Sequence, residues 1–281
     1  MFYISDDTIE KFIKEDIPYF DLTTTILYIE KQQGEIQFVT REKAVISGTE
    51  EVVRIFDKFG IKTMKYISSG TYAEPDEVLI KGIGRSEHLH FAWKICLNIL
   101  EYSSGIASRT RRLVDKAKDV NPEVELVTTR KIFPGTKDIS TKSIIVGGAY
   151  PHRLGLSETI LVFAQHLEFL DGIDNFVEKL KTYKSKACEK KIIVETDNIL
   201  DAIILAEAGV DGIQIDKVEP SRLVEIVNKV REINRNILLI GAGGINEKNI
   251  SDYSRTGVDA LATSSVYFGK PVDIKTIIKR V

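Results

Sequence analysis

The stretch Thr128-Thr129-Arg130-Lys131-Ile132-Phe133-Pro134-Gly135-Thr136-Lys137 is followed shortly by Gly147-Gly148-Ala149-Tyr150-Pro151-His152-Arg153-Leu154-Gly155-Leu156. Together they gather fixed cations, a histidine, prolines and glycines in one short region. Arg130, Lys131, Lys137, Lys142 and Arg153 are too dense for a core and too interleaved with Gly and Pro for a plain solvated helix face. Clustered cations on loops held by a scaffold suit an anionic small molecule. The alternative is a basic surface loop. The net charge is −2, so the cluster stands out against a slightly acidic background, and broad nucleic-acid affinity is not expected.

The elements that must position these residues follow a clear rhythm in the second part of the chain. Apolar strand-like runs are expected at 124–128, 144–147, 159–163, 191–195, 212–215, 237–240 and 260–263. Helical patterns fall between several of them, at 172–184, 198–208, 220–233 and 247–255. Pro220 suits a first helical turn. Alternating short strands, apolar on both faces, with helices predicts a parallel α/β sheet or barrel. Polar and glycine residues gather where these strands end: Thr128 to Lys131, Glu195, Asp216-Lys217, Gly241 to Gly244, and Thr263-Ser264-Ser265. That edge carries the active site in a (β/α) barrel, and the last two loops are where a barrel often binds phosphate. Glu195 and Asp216 can equally cap the helices that follow them.

The first hundred residues are mixed. Ser5 to Asp7 offer N-cap chemistry ahead of Ile9, Phe12 and Ile13, and 21–25 reads as a turn. Strands are expected at 35–40, 62–67 and 77–83, and a helix at 50–59 ending at Gly60. A long, mostly apolar helix is expected over 86–102, broken by Ser103-Ser104-Gly105.

The chain has 281 residues, 43% of them hydrophobic, ample for a core. Cys96 and Cys188 are far apart and in no CxxC pattern, which fits a reducing compartment. The start MFYISDDTIEKF lacks the pattern of a signal peptide, and no apolar run approaches a membrane span. A cytoplasmic protein is expected. His88 and His90 read as structural rather than as ligands. Arg109, Arg111 and Arg112 read as possible surface residues of a helix, and His166 as a structural residue or a site residue. A dedicated transition-metal site is not expected from four histidines and two distant cysteines.

Several ordered motifs resemble the quinolinate phosphoribosyltransferase family, nicotinate-nucleotide pyrophosphorylase of the carboxylating type. They are Glu15-Asp16 with Asp21-Leu22-Thr23-Thr24; Leu97-Asn98 with Ser104-Gly105-Ile106-Ala107; Thr129-Arg130-Lys131 with Pro134-Gly135; Gly147-Gly148 with His152-Arg153-Leu154-Gly155-Leu156; Asp216; and Gly243-Gly244-Ile245. The phrases Thr128 to Lys131, Pro151 to Thr159, Leu161 to His166 and Trp93-Lys94 look more like the ModD branch, pyrophosphorylase-like proteins associated with molybdate transport genes. The resemblance implies an N-terminal α/β sandwich domain over 1–103, joined by a C-terminal tail, 267–281. It also implies an open (β/α) barrel of six or seven strands over 104–266. It implies a homodimer with shared active sites, and a pentosyltransfer from phosphoribosyl pyrophosphate to a small anionic acceptor with Mg²⁺.

The roles implied are these. Arg130 and Lys142 clamp the leaving group or the acceptor. His152 and Arg153 contact an acceptor carboxylate, and Lys94 does so across the dimer. Gly243 and Gly244, with Ser264 and Ser265, cradle the 5-phosphate. Lys131, Glu195 and Asp216 are the expected catalytic set, the two carboxylates binding ribose hydroxyls directly or through Mg²⁺. The chain departs from the family pattern at Lys94 for an arginine, Phe163 for a lysine, Ala164 for an aspartate and Thr128 for an aspartate. Of the alternating acidic residues expected at 191–195, only Glu195 remains. These departures imply an altered acceptor, or a non-catalytic relative that binds a phosphorylated or oxyanion ligand in molybdate handling.

Overall fold

The computed structural model describes residues 2–281. In chain order the elements are α1 (Asp6–Asp16), α2 (Leu22–Leu27), β1 (Gln33–Thr40), β2 (Ala44–Val45), α3 (Thr49–Lys58), β3 (Lys62–Tyr66), β4 (Tyr72–Ala73), β5 (Val78–Arg85) and α4 (Ser86–Lys118). There follow β6 (Glu125–Thr128), α5 (Lys137–Gly147), β7 (Tyr150–Pro151), β8 (Ile160–Val162), α6 (Ala164–Glu168), α7 (Ile173–Lys186), β9 (Ile192–Thr196) and α8 (Ile199–Ala208). The rest are β10 (Gly212–Asp216), α9 (Pro220–Ile233), β11 (Leu238–Ala242), α10 (Ile250–Ser254), β12 (Ala260–Thr263), a 3-10 turn (Ser265–Tyr267) and β13 (Ile274–Arg280). Among the described residues no helix is long and apolar enough to cross a membrane.

The chain divides into two compact units: 1–111 with 133–148 and 267–281, and 112–132 with 149–266. The boundary expected between 103 and 104 therefore falls inside α4, and the segment 133–148 groups with the first unit. The first unit is built on an antiparallel sheet in the order β13-β1-β5-β3. Its final strand lies beside β1, with Ile36 opposite Ile278. Ile36, Phe38, Ile55, Phe56, Ile80 and Leu89 are among the side chains that close the core.

Three expectations fail in this unit, each because a local signal was overridden. Residues 21–25 form a helix start, not a bare turn: Asp21 Oδ1 accepts the Thr23 and Thr24 N–H groups and caps α2. The helix expected to break at 103–105 runs unbroken through α4. Ser104 and Ser108 are buried, and their hydroxyls accept the N–H groups of Ser47 and Val45. Gly105 leaves room for Lys270 and Pro271, whose nearest atoms would lie 3.1 Å from a Cβ. The run 144–147 is not a strand but the end of α5, closed by Gly148 in the left-handed region. Its β-branched residues favour a strand, but Ile144 is buried and Lys142 is tied to α3, so tertiary contacts decide.

The second unit is a wholly parallel, seven-stranded sheet in the order β7-β6-β12-β11-β10-β9-β8. Sequence neighbours lie side by side except where β6 meets β12, so the sheet curls round an interior with β7 and β8 as its free edges. This is the open α/β barrel of the expected fold class. Leu161, Ile193, Ile240, Ala242, Ala260 and Ala262 fill the interior, with Val127, Phe163 and Leu238 packed against them.

Candidate active site at the strand ends

Because all strands of the second unit run in parallel, the residues that end them share one edge. Arg130 and Lys131 follow β6, His152 and Arg153 follow β7, and Phe163 follows β8. Glu195 lies on β9 and Asp216 ends β10. Gly243 and Gly244 follow β11, and Ser264 and Ser265 follow β12. Backbone bonds carry the pairing past the strand ends: Thr129 N–H to Thr263 O at 3.0 Å, His152 N–H to Thr128 O at 2.9 Å, and Lys217 N–H to Ala242 O at 2.9 Å.

Strand alternation aims the carboxylates. Ile193 is an interior residue, so Glu195, two positions on, shares its face. Gln214 stands opposite Glu195 in register, and Asp216 stands opposite Ala242. Gln214 Nε2 donates to Glu195 Oε2 at 2.5 Å. Burial pushes the Glu195 carboxyl above its ordinary value; the Gln214 hydrogen bond opposes that, and the nearby Asp216 charge adds to it. Gln214 is a further polar member of the edge that the sequence reading missed. Its signal was present: a buried polar residue between Ile213 and Ile215, on the same face as Asp216.

The loops after β10 and β11 are fitted closely. Lys217 adopts a left-handed backbone (φ 57°), and Gly243 does so at φ 86°. A Cβ at Gly243 would fall 2.4 Å from the Lys217 nitrogen and 2.8 Å from Asp216 Oδ1, so only glycine fits. The Gly244 carbonyl is turned toward Asn246 and Asn249, whose Nδ2 atoms donate to it at 2.8 and 3.2 Å. Thr263 Oγ1 donates to Ile245 O at 2.6 Å and accepts Ser265 N–H at 3.0 Å, tying the last two loops together.

The basic side is built around Arg153. Its guanidinium carbon lies 5.8 Å from the centre of the Phe163 ring. Burial, and then the Arg130 charge, lowers its pKa. His152 is half-buried; burial, then the Arg153 charge, holds its imidazole below the ordinary range, and its Nε2 is buried without a hydrogen-bond partner. Arg130 and Lys131 are exposed. His166 is exposed rather than buried: its Nδ1 accepts the Phe163 N–H at 3.0 Å and so caps α6. A cavity of about 450 Å³ in the same unit, lined by residues including Glu219, Pro220, Asn249 and Tyr253, holds none of the candidate residues.

Two expected site residues lie in the first unit. Lys94 is exposed on α4, its ammonium 5.1 Å over the Trp93 ring. Lys142 is buried on α5, where its Nζ donates to Glu50 at 2.7 Å and to Glu51 at 2.5 Å. In this structure the Lys142 ammonium is thus partnered by two carboxylates of α3. Among the described residues no cluster of three or more histidine, cysteine or acidic side chains could cage a metal.

The quinolinate phosphoribosyl transferase C-terminal domain matches residues 106–276, and the N-terminal domain of the same name matches 21–104. The chain belongs to this family. A protein of Pasteurella multocida (strain Pm70) named "Putative pyrophosphorylase ModD" is 33% identical over 280 residues, covering 100% of this chain and 99% of its own. One of Methanothermobacter thermautotrophicus, named "Probable nicotinate-nucleotide pyrophosphorylase" of the carboxylating type, is 26% identical over 279 residues, covering 97% and 98%. The crystal structure of NadC from Streptococcus pyogenes superposes with a TM-score of 0.90 over 100% of both chains at 22% identity, a likeness of fold.

Proposed function

We propose that this family member is a phosphoribosyltransferase acting at the strand-end edge of the second unit. The ring nitrogen of a carboxylated heterocycle attacks C1 of phosphoribosyl pyrophosphate. The C1–O bond breaks, and pyrophosphate leaves with the bonding electrons. The observation that carries the reading is the meeting, on one edge, of Arg130, Lys131 and Arg153 with the inward carboxylates of Glu195 and Asp216. Such a site holds anionic substrates by its cations and a ribose by its carboxylates. Gly243, Gly244, Ser264 and Ser265 would cradle the 5-phosphate, since glycine backbone approaches a phosphate closely. His152 and Arg153 would take the acceptor carboxylate. Lys131 would sit with Glu195 and Asp216 at the reacting end.

Two carboxylates without further protein ligands fit Mg²⁺, which is commonly held by one or two carboxylates together with substrate phosphates. Glu195 and Asp216 would hold it, and it would neutralise charge on the departing pyrophosphate. The same reading makes the protein a homodimer in which Lys94 of one copy serves the site of the other. The test is calorimetric binding of phosphoribosyl pyrophosphate with Mg²⁺, followed by turnover with quinolinate and other heterocyclic carboxylates. Failure to bind the donor overturns the reading.

A second reading is a non-catalytic relative that binds an oxyanion in molybdate handling. Phe163 favours it, because an aromatic ring stands where the quinolinate enzymes carry a cation. Molybdate binding without transfer activity would establish it; robust transfer with no molybdate binding would exclude it.

A further inference from the structure

Resting on the transfer reading for the nature of the ligand, we propose that Phe163 is a positioning residue that fixes the plane of the Arg153 guanidinium, fitting the site to an aromatic acceptor with a single carboxylate. The Phe163 ring is itself held on several sides. It packs against the apolar barrel interior, and it stacks on His166 with ring centres 5.7 Å apart and planes 22° from parallel. The backbone of Phe163 is pinned by the bond to His166 Nδ1. Arg153 lies over this fixed ring, while its own hydrogen bond, Nη1 to Thr159 O, is long at 3.5 Å. The ring, more than that bond, sets the guanidinium plane.

A guanidinium lying over a ring can turn N–H groups to a ligand, and its planar fork matches a carboxylate bidentately. The preceding residue, His152, has its Nε2 buried without a hydrogen-bond partner, on an imidazole whose protonated form burial disfavours. One fixed cation, one hydrogen-bonding ring that resists protonation and an apolar aromatic wall suit a singly charged aromatic carboxylate better than a multiply charged phosphate. The phosphate-bearing donor is left to Arg130, Lys131 and the glycine loops.

The experiment follows the Arg153 Nε–H resonance by NMR, assigned with Arg153→Lys, in the native chain and in Phe163→Leu and Phe163→Tyr. Each is titrated with pyridine-2-carboxylate and with inorganic pyrophosphate. In Phe163→Leu the resonance loses its ring-current shift, and pyridine-2-carboxylate binds about threefold to fivefold more weakly, the scale of one cation–π contact. Pyrophosphate affinity stays unchanged, and Phe163→Tyr restores both the shift and the affinity. The proposal is overturned if Arg153 is unmoved by Phe163→Leu, if both anions weaken alike, or if pyridine-2-carboxylate leaves the native resonance in place. Should Phe163→Leu fail to fold, Phe163→Tyr and the native titration still decide. Binding of phosphoribosyl pyrophosphate is measured separately, so failure of the transfer reading registers there and not in the Arg153 spectrum.

Discussion

His152 stands half-buried beside Arg153, and both burial and that neighbouring charge disfavour its protonated form. Its folded pKa therefore lies below the ordinary 6.5, so as the pH falls through 6.5 the unfolded chain takes up a proton that the folded chain resists. Stability contributed by neutral His152 is present above that pH and declines below it. We expect His152→Gln to reduce the fall in urea midpoint between about pH 7.5 and pH 5.5 relative to the native chain. At the same edge, Phe163→Lys would add a cation beside the acceptor. It should raise kcat/KM for quinolinate by about tenfold, the scale of one charge-assisted hydrogen bond. No gain would show that this position does not set acceptor choice. These residues were visible in the sequence as a cationic cluster with an aromatic neighbour. That Phe163 lies under Arg153, and that Gln214 bonds Glu195, was not, because those contacts join residues on different strands.

At the scale of elements, α5 is anchored to α3 by Lys142 between Glu50 and Glu51. Glu50 is half-buried; burial alone would raise its carboxyl, but hydrogen bonds from Lys142 and Ser69 outweigh it and hold the pKa at about 2. The stability this carries is present above the ordinary 4.5 and is lost as the pH falls toward about 2. Lys142→Met should cost about 3 kcal/mol in urea denaturation near neutral pH, because the buried Glu51 is left without its partner. It should also flatten the acid limb. Gly243→Ala should cost about 1–3 kcal/mol by the same measurement, since φ is +86° there and a Cβ meets the Lys217 nitrogen. The strands at 191–195, 212–215, 237–240 and 260–263 were legible because each is short and largely apolar, with most of its residues buried. The run 144–147 was not: its isoleucines and valine carry the same local signal, yet it ends α5, which Lys142 ties to α3.

At the scale of the molecule, Tyr19, Phe20, Leu22, Ile26, Leu27 and Tyr28 are all exposed on the first unit. Leu22 and Ile26 are one helical turn apart on α2, so they share a face. An apolar stretch of this kind suits burial against a second copy. We expect the native chain to sediment as a dimer, and Leu22→Glu with Ile26→Glu to sediment as a monomer with its thermal midpoint lowered. A native monomer in analytical ultracentrifugation would remove the shared-site arrangement and the role of Lys94 in it.

By itself, the sequence determined the α/β class, the parallel strand rhythm and the edge where chemistry-bearing residues collect. Each of these is written in local periodicity and in the residue types that end each strand. Only the tertiary structure decided that Lys142 is buried between Glu50 and Glu51, that α4 runs unbroken through Ser103 and Ser104, and that Arg153 lies over Phe163. A lysine reads the same whether its partner is a phosphate or a carboxylate from another helix. The partner is chosen by long-range packing, which no local pattern of residues encodes.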